Sequence, residues 1–322
     1  MKQYTSLYFV GAGGIGMSAL VRYFLAKGYK VAGYDRTQSP LTTELKTEGL
    51  EIVYEESVES IPDYCRNPET TLVVYTPAIP ASHAGLVYFR EHGFRVVKRA
   101  ELLGLITQSS KGLCFAGTHG KTTTSSMAAH IFHESPIGCN AFLGGILRNY
   151  NSNLILSEQS PFTVIEADEY DRSFHWLHPY MAVVTATDPD HLDIYGTEEA
   201  YLESFAHFTS LIQPGGCLIM KKGIKLVPSV KENVKIYTYS ARDGGDFHAG
   251  NIRIGDGTIV FDFVMPEGSV ADIELGVPVE INIENAVAAM AIAWLNGVSG
   301  NDMRRAMASF KGAKRRFEFW VR

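Results

Sequence analysis

The first third of the chain alternates between short apolar runs and segments in which apolar residues recur at helical spacing. The apolar runs that predict strands are residues 4–10, 29–34, 72–76 and 95–98. The segments that predict helices are residues 18–27 and 100–106. Strands that alternate with helices in this way are typical of a parallel sheet with helices packed on it. The pattern therefore predicts an α/β domain.

The alternation resumes after a short segment of polar and small residues, 108–112, which we interpret as a flexible domain boundary. Further predicted strands are residues 113–116, 162–165, 181–185 and 217–220, and further predicted helices are residues 125–132, 198–211, 281–295 and 302–309. From residue 235 to residue 278 the apolar period is two, interrupted by Gly255-Asp256-Gly257, which indicates a hairpin. The predicted domains are residues 1–108 and residues 109–322, the second an α/β domain with a small added antiparallel sheet.

The composition of the 322 residues, 46% hydrophobic and 20% charged, is that of a globular protein able to form two cores. The net charge of −6 argues against a nucleic-acid partner. Membrane spans need runs of about 18 apolar residues, which this sequence lacks, so no membrane partner is expected. The chain start leads straight into glycines, which indicates a strand and not a signal peptide. Four widely spaced cysteines without a Cys-x-x-Cys pair predict neither zinc nor disulfides and favour a cytoplasmic location.

A glycine-rich turn follows the first predicted strand. Its glycines, Gly11, Gly13 and Gly16, have the Gly-x-Gly-x-x-Gly spacing, and Asp35 lies at the end of the next strand. An acidic residue about 20 positions after such a turn is typical of Rossmann-like dinucleotide-binding domains, whose helix N-terminus accepts a pyrophosphate. The pattern does not choose among NAD, FAD and a UDP-sugar, and a turn without a ligand is the alternative.

A second glycine turn follows the apolar run at residues 113–116. It reads Gly117-Thr118-His119-Gly120-Lys121-Thr122-Thr123 and leads into a helical segment, which is the order of a phosphate-binding loop. We expect Lys121 to reach the β and γ phosphates of a nucleotide and the Thr122 hydroxyl to hold Mg²⁺. The spacing is shorter than the common one, because Phe115 stands where that pattern has glycine. The alternative is an ordinary strand-to-helix turn with a solvated lysine.

Acidic residues and a histidine follow two further predicted strands. Glu166 begins the stretch Glu-Ala-Asp-Glu-Tyr-Asp, and His191 follows residues 181–185 in the stretch Asp-Pro-Asp-His. Ligands gather at the carboxyl ends of parallel strands, so both residues can converge with the phosphate loop as ligands of a divalent cation. The alternatives are a solvated loop and a histidine that caps a local turn. The other acidic residues of the stretch, Asp168, Glu169 and Asp171, cannot be ranked from sequence.

Two asparagines, Asn282 and Asn285, lie one helical turn apart at the start of the segment 281–295. Asparagine at a helix start usually caps it, and this interpretation is favoured over a hydrogen bond to a base edge. Near the end of the chain, Lys314-Arg315-Arg316 is a basic run. It could be a solvated face, or it could place an arginine on a γ-phosphate.

Six motifs together resemble those of the Mur ligase family of peptidoglycan synthesis, and they occur in the family's order. They are residues 11–20 (GAGGIGMSAL), 117–124 (GTHGKTTT), 166–171 (EADEYD), 190–191 (DH), 282–286 (NIENA) and 315–318 (RRFE). Within the family, the chain is most similar to the members that join L-alanine to UDP-N-acetylmuramate. The resemblance implies a Rossmann-like first domain that binds the UDP-sugar and a central ATPase domain with the phosphate loop.

The resemblance also implies roles for individual residues. In the first domain, Gly13, Gly14, Gly16 and Met17 would lie near the pyrophosphate and Asp35 near the uridine. In the second, Lys121 would hold the ATP phosphates; Thr122, Glu166 and His191 would bind Mg²⁺; Asn282 and Asn285 would face adenine; and Arg316 would meet the γ-phosphate. Transfer of that phosphate to the muramoyl carboxylate would form an acyl phosphate, which the amine of L-alanine attacks.

The sequence departs from the family pattern in two places. Ala186 stands where the family commonly has asparagine, so one polar contact is missing or supplied otherwise. The family also has a C-terminal domain that helps bind the amino acid, whereas this sequence stops at Arg322. We therefore expect a fragment that binds nucleotides but ligates poorly or not at all. The alternatives are a ligase that recycles murein tripeptide, a nucleotide-dependent dehydrogenase, and a nucleotide-binding switch without ligase chemistry.

Overall fold

The structure is a computed structural model that describes residues 3–242 and 244–314. It divides into two compact units between Ile106 and Thr107. The first unit contains a parallel sheet and the second a larger, mostly parallel sheet, each with helices. The predicted α/β class is therefore confirmed.

The first unit alternates strands and helices. Its strands are β1 (Ser6–Val10), β2 (Lys30–Tyr34), β3 (Glu51–Val53), β4 (Thr71–Tyr75) and β5 (Arg95–Lys98). Its helices are α1 (Ile15–Ala26), α2 (Pro40–Thr47), α3 (Ala84–Glu91) and α4 (Arg99–Gln108), with a 3₁₀ turn at Asp63–Cys65. The spatial order is β3-β2-β1-β4-β5, and all pairs are parallel. The chain reverses direction across the sheet at β1, so the glycine turn after β1 lies at the switch point where such sheets bind ligands.

The second unit, within its described residues, contains ten strands in one sheet. The strands are β6 (Lys111–Ala116), β7 (Asn140–Leu147), β8 (Ser152–Ile155), β9 (Phe162–Glu166), β10 (Pro179–Val184), β11 (Cys217–Lys221), β12 (Lys235–Ser240), β13 (Phe247–Gly255), β14 (Thr258–Met265) and β15 (Gly268–Glu274). The helices are α5 (Lys121–Glu134), α6 (Leu192–Tyr195), α7 (Glu198–Ser210), α8 (Ile281–Leu295) and α9 (Gly300–Ser309), with a 3₁₀ segment at Tyr170–Trp176.

The strand order of this sheet is β15-β14-β13-β12-β11-β10-β6-β9-β7-β8. The six strands from β12 to β7 are parallel, and β8 turns back antiparallel to β7. The antiparallel strands β13 to β15 continue the same sheet, because β13 pairs in parallel with β12. The added antiparallel part is thus an extension of the main sheet. The phosphate-loop strand β6 lies between β10 and β9, so the carboxyl ends of three adjacent strands meet there.

Helix α8 is apolar on nearly all sides, and its side chains from residue 286 to residue 293 are buried. A helix that is hydrophobic all round belongs in a core. It packs against α5, the helix that begins at the phosphate loop. This packing brings the first turns of α8 close to the loop.

Several predicted boundaries are wrong by a few residues. Helix α1 begins at Ile15 and not at residue 18, and α5 begins at Lys121 and not at residue 125. Both helices start directly at a glycine turn, whereas apolar periodicity becomes visible only later. The predicted loop at 108–112 is also too long, because α4 includes Gln108 and β6 begins at Lys111.

In the described part of the chain, no helix has the length and apolar character needed to cross a bilayer. The four cysteines are buried free thiols. Burial raises the pKa of Cys65 to about 12, because the apolar surroundings disfavour the thiolate. These thiols are accordingly core residues.

Candidate nucleotide-binding site

The phosphate loop requires glycine at both ends. Gly117 and Gly120 have φ of 138° and 85°, which L side chains rarely adopt. A Cβ atom on Gly117 would also lie 2.2 Å from the Thr185 hydroxyl oxygen. Gly120 is the N-cap of α5 and has no side chain to cover the helix end. The first N–H groups of α5 are therefore available to an anion.

Thr185 holds this loop and was not singled out from the sequence. Its hydroxyl donates a hydrogen bond to the carbonyl of His119 and lies 3.2 Å from the carbonyl oxygen of Ala116. Its backbone N–H donates to the same Ala116 carbonyl. Polar contacts to the loop therefore come from Thr185, one residue before Ala186. The only sequence signal was a threonine at the end of a strand beside the loop strand.

Thr118 fastens the loop to the segments that follow β10. Its hydroxyl lies 2.7 Å from the carbonyl oxygen of Asp188 and 2.8 Å from the hydroxyl of Tyr201 in α7. Its N–H donates to the carbonyl of Ala186. The neighbouring His119 side chain is exposed. The loop is thus held from the segment that follows β10 and from α7.

Lys121 forms an ion pair within the protein. Its Nζ lies 2.7 and 2.8 Å from the two carboxylate oxygens of Glu169 and 2.6 Å from the carbonyl oxygen of Gly117. Glu169 is buried, with 1% of its surface exposed. Burial raises the pKa of Glu169, and Lys121 opposes that effect. The structure therefore singles out Glu169 among the acidic residues, and the solvated-loop interpretation is wrong for it.

Thr122 and Glu166 form the candidate magnesium site. The Thr122 hydroxyl donates to Glu166 Oε1 at 2.7 Å. Glu166 Oε2 is buried and has no hydrogen-bond partner among the described residues. Magnesium is usually held by one or two protein oxygens together with phosphate and water, so this pair fits it. Gly144 in β7 lies against the carboxylate, since a Cβ there would be 2.1 Å from Oε2.

His191 lies on the segment between β10 and α6. It has φ of 52° and is the N-cap of α6, but its side chain makes no capping hydrogen bond. Its Nε2 lies 3.8 Å from Asp190 Oδ2, and its ring packs edge-on against Tyr170 at 5.2 Å. In residues 3–242 and 244–314, no three His, Cys, Asp or Glu side chains converge as metal ligands. The structure thus joins Thr122 to Glu166, whereas a place for His191 beside them stays a prediction.

The two asparagines do not cap α8, because the helix begins at Ile281 with Glu280 as its N-cap. Asn285 accepts a hydrogen bond from the Thr124 hydroxyl at 3.2 Å and donates to Asn282 Oδ1 at 3.1 Å. Asn282 donates to the carbonyl of Val277 and is fully buried. The capping interpretation is therefore wrong for both. Asn285 lies at the phosphate loop, and Asn282 lies behind it.

Arg316 lies outside the described residues, so its predicted contact with a phosphate stays a prediction. The residues that precede it are described. Ala313 pairs with Leu147 at the end of β7, and Lys314 N–H donates to the carbonyl of Ile146. A Cβ on Gly145 would lie 3.3 Å from the Ala313 Cβ and 3.6 Å from the Thr122 Cγ2. The chain therefore passes close to Thr122 just before Arg316.

The glycine turn of the first unit is shaped for a close approach. Gly14 is the N-cap of α1, and beyond its chain neighbours no atom of the described residues lies within 4 Å of the place where its Cβ would be. Asp35 Oδ2 accepts a 2.7 Å hydrogen bond from Gly13 N–H, and its other oxygen accepts from Thr37 N–H. Asp35 therefore holds the backbone of the glycine turn in place through Gly13. Met17 has a buried side chain, so only its backbone can serve a ligand at this helix end.

Arg99 is a further residue at this turn that sequence reasoning missed. It follows β5 directly and begins α4. A Cβ on Gly16 would lie 2.7 Å from Arg99 Nε and 2.9 Å from its Nη2. The guanidinium therefore lies against the first turn of α1, where it adds positive charge. Its only sequence signal was its place at the carboxyl end of a strand.

Comparison with known protein families defines the class of this protein. Residues 6–111 match the model described as "Mur ligase family, catalytic domain", and residues 115–293 match the "Mur ligase middle domain". The second match alone covers more than half of the chain. The chain belongs to the Mur ligase family.

Several curated proteins share high sequence identity with this chain. The chain is 65% identical over 322 residues to the UDP-N-acetylmuramate–L-alanine ligase of Parabacteroides distasonis, covering 100% of this chain and 70% of that protein. It is 55% identical over 313 residues to the enzyme of the same name from Porphyromonas gingivalis strain ATCC 33277, covering 97% and 69%. The chain thus spans about 70% of the length of these relatives.

Solved structures share the fold at low identity. The UDP-N-acetylmuramate-alanine ligase of Thermotoga maritima has a TM-score of 0.80 at 24% identity, with 98% of this chain and 71% of that chain covered. The UDP-N-acetylmuramate:L-alanyl-gamma-D-glutamyl-meso-diaminopimelate ligase of Neisseria has a TM-score of 0.82 at 22% identity, with 97% and 100% covered. At these identities the similarity shows the fold alone.

Proposed function

We propose that this chain carries the ATP site and the UDP-sugar site of a ligase that joins L-alanine to the carboxylate of UDP-N-acetylmuramate. The observation that carries the ATP site is the cluster of Lys121, Thr122 and Glu166 at one glycine loop. The substrates are those named for relatives that are 65% and 55% identical to it. The Mur ligase family is ATP-dependent, which agrees with a phosphate loop in the middle domain.

The chemistry follows from the poor reactivity of a carboxylate toward an amine. A muramoyl carboxylate oxygen attacks the γ-phosphorus of ATP, and the bond from that phosphorus to the β–γ bridging oxygen breaks. ADP leaves, and an acyl phosphate remains. The uncharged amine of L-alanine then attacks the acyl carbon, loses a proton and displaces inorganic phosphate. Both steps depend on in-line positioning and on stabilisation of charge at the phosphoryl group.

The residues of the second unit divide this work. The N–H groups at the start of α5 and the Lys121 ammonium bind phosphate oxygens. Thr122 and Glu166 would hold Mg²⁺, which offsets the charge of the phosphates when it is bound. His191 and Arg316 are proposed as the further Mg²⁺ ligand and the γ-phosphate contact. We propose that Asn285 contacts adenine directly.

Asn282 has a different part in this proposal. Its amide bonds to the Val277 carbonyl and to Asn285, and it has no exposed surface. A direct hydrogen bond from Asn282 to adenine would require these contacts to rearrange. We therefore propose that Asn282 orients the side-chain amide of Asn285.

In the first unit, we propose that the turn at Gly13, Gly14 and Gly16, together with the backbone of Met17, receives the pyrophosphate of the UDP-sugar. The positive end of α1 and the nearby Arg99 guanidinium support this assignment, because both favour an anion. Asp35 holds Gly13 in place, and the uridine lies beside it.

The tripeptide-recycling ligase is the second candidate, because the Neisseria ligase and a murein peptide ligase from Psychrobacter arcticus also share this fold. Their identities are 22% and 25%, against 65% for the Parabacteroides alanine ligase. The higher identity favours L-alanine.

Titration calorimetry with MgATP tests the nucleotide site. We expect Lys121→Met to weaken MgATP binding by about tenfold or more, because a charge-assisted hydrogen bond to phosphate is lost. Lys111→Met is the matched control, because Lys111 is the first residue of β6, the strand that leads into the phosphate loop. Both variants should bind UDP-N-acetylmuramate like the wild type. Equal MgATP affinity in wild type and Lys121→Met would contradict the proposed ATP site.

A further inference from the structure

The ammonium group of Lys121 has as many hydrogen-bond acceptors around it as it has N–H donors. A lysine has three donors, and Lys121 has three acceptors within 2.8 Å, namely the Gly117 carbonyl and both oxygens of Glu169. The two side chains are 14% and 2% exposed. The residue whose charge should attract phosphate is therefore neutralised by a buried carboxylate.

Glu169 is held in this position by its own backbone. Its carbonyl accepts hydrogen bonds from the hydroxyl of Tyr195 and from the N–H of Arg172. The Arg172 guanidinium lies over the Tyr195 ring at 4.7 Å. Tyr195 belongs to α6, the helix that begins directly after His191. Glu169 thus connects Lys121 to the helix that directly follows His191, the proposed third metal ligand.

We propose that Glu169 is a positioning residue that takes the place of nucleotide phosphate on Lys121, and that a nucleotide binds by exchanging its phosphate for this carboxylate. The inference rests on the proposed ATP site. Until the exchange, the carboxylate keeps the lysine extended across the loop. After it, Glu169 is left without its cation in a buried place, and that cost lowers nucleotide affinity.

Exchange of phosphate for carboxylate at Lys121 has a signature that a purely structural ion pair lacks. Glu169→Gln keeps the shape of the side chain and removes its charge, so Lys121 becomes free for phosphate. We expect the 322-residue chain with this change to bind MgADP about tenfold more tightly than wild type. Adenosine, which has no phosphate to exchange, should bind both proteins equally. A structural role alone would leave MgADP binding unchanged or weaken it.

Calorimetric titrations of MgADP and adenosine test this, with the same titrations in Lys121→Met and in the double variant. The gain from Glu169→Gln should vanish when Lys121 is methionine, because no cation remains to be released. Unchanged or weaker MgADP binding by Glu169→Gln, or the same gain without Lys121, would overturn the proposal. Absence of MgADP binding in all four proteins would instead overturn the ATP site itself.

A second variant covers the case in which Glu169→Gln does not fold, as judged by its melting curve. Glu169→Asp keeps the charge and shortens the side chain by one methylene, which lengthens the ion pair. It should tighten MgADP binding by a smaller factor, about threefold. Unchanged or weaker binding by this folded variant would refute the exchange.

Discussion

Replacement of Gly144 by alanine should disable the candidate magnesium site and leave the fold in place. The added Cβ would lie 2.1 Å from Glu166 Oε2 and 2.8 Å from its Cδ. Gly144 is exposed and does not have a positive φ, so alanine fits its backbone. The carboxylate is the end of a flexible side chain, and it will therefore move before the sheet does.

The size of this movement follows from the contact distance. Real Cβ atoms essentially never approach a neighbour closer than 3.0 Å, so Oε2 must shift by about 1 Å, and the bond from Thr122 to Oε1 stretches with it. Magnesium tolerates little deviation from oxygen distances of about 2.1 Å. Loss of such support typically lowers metal affinity about 10- to 100-fold.

Calorimetric titration of ATP with and without Mg²⁺ measures the effect. In the wild type Mg²⁺ should strengthen ATP binding, and in Gly144→Ala most of that increment should disappear. Gly145→Ala is the matched control, because among the described residues its Cβ would meet Ala313 at 3.3 Å and Thr122 at 3.6 Å and would not approach Glu166. A wild-type response to Mg²⁺ in Gly144→Ala, with an unchanged melting temperature, would refute the assignment of Glu166 to the metal.

Three further predictions concern other parts of the molecule. Thr185→Val removes the hydroxyl that bonds to the His119 carbonyl and should lower the free energy of unfolding by about 1–2 kcal/mol and weaken ATP binding, whereas Thr185→Ser should restore both in denaturation and binding assays. Asp35→Asn removes the charge that holds Gly13 N–H and should weaken UDP-N-acetylmuramate binding about tenfold with unchanged ATP affinity, and equal losses for both ligands in calorimetry would speak against it. Burial lowers the pKa of His130 to about 4, below its ordinary value of 6.5, so the unfolded chain takes up a proton between these pH values that the folded chain does not. Stability should therefore fall as the pH drops from 6.5 to 4, by about 3 kcal/mol from this group. Urea denaturation should show a smaller fall in His130→Gln than in the wild type, and an equal fall in both proteins would contradict this reasoning.

The fold could be predicted because its signals are local. Alternating apolar runs and helical segments, with glycines at two strand ends, are enough to indicate parallel sheets and two anion-binding turns. The ion pair between Lys121 and Glu169 could not be predicted from the sequence, because the two residues are 48 positions apart in the chain. Thr185 is 66 positions from the carbonyl that it holds. Such contacts arise only when separate strands are placed side by side.

The asparagines show how a local rule can mislead. Asparagine near a helix start predicts a cap, but α8 begins one residue before Asn282 and packs against α5. Packing therefore directs the amides toward Thr124 and Val277 instead of the helix end. The place of Arg99 against Gly16 likewise depends on the order of strands in the sheet.

The most direct test of the central claim is a calorimetric titration of the 322-residue chain with UDP-N-acetylmuramate, with NADH as the comparison ligand. The glycine turn at Gly13 has a spacing that is also found in dehydrogenases, so the sequence alone is compatible with either ligand. We expect saturable binding of the UDP-sugar and none of NADH. Binding of NADH alone would contradict the assignment of the first unit to a ligase substrate.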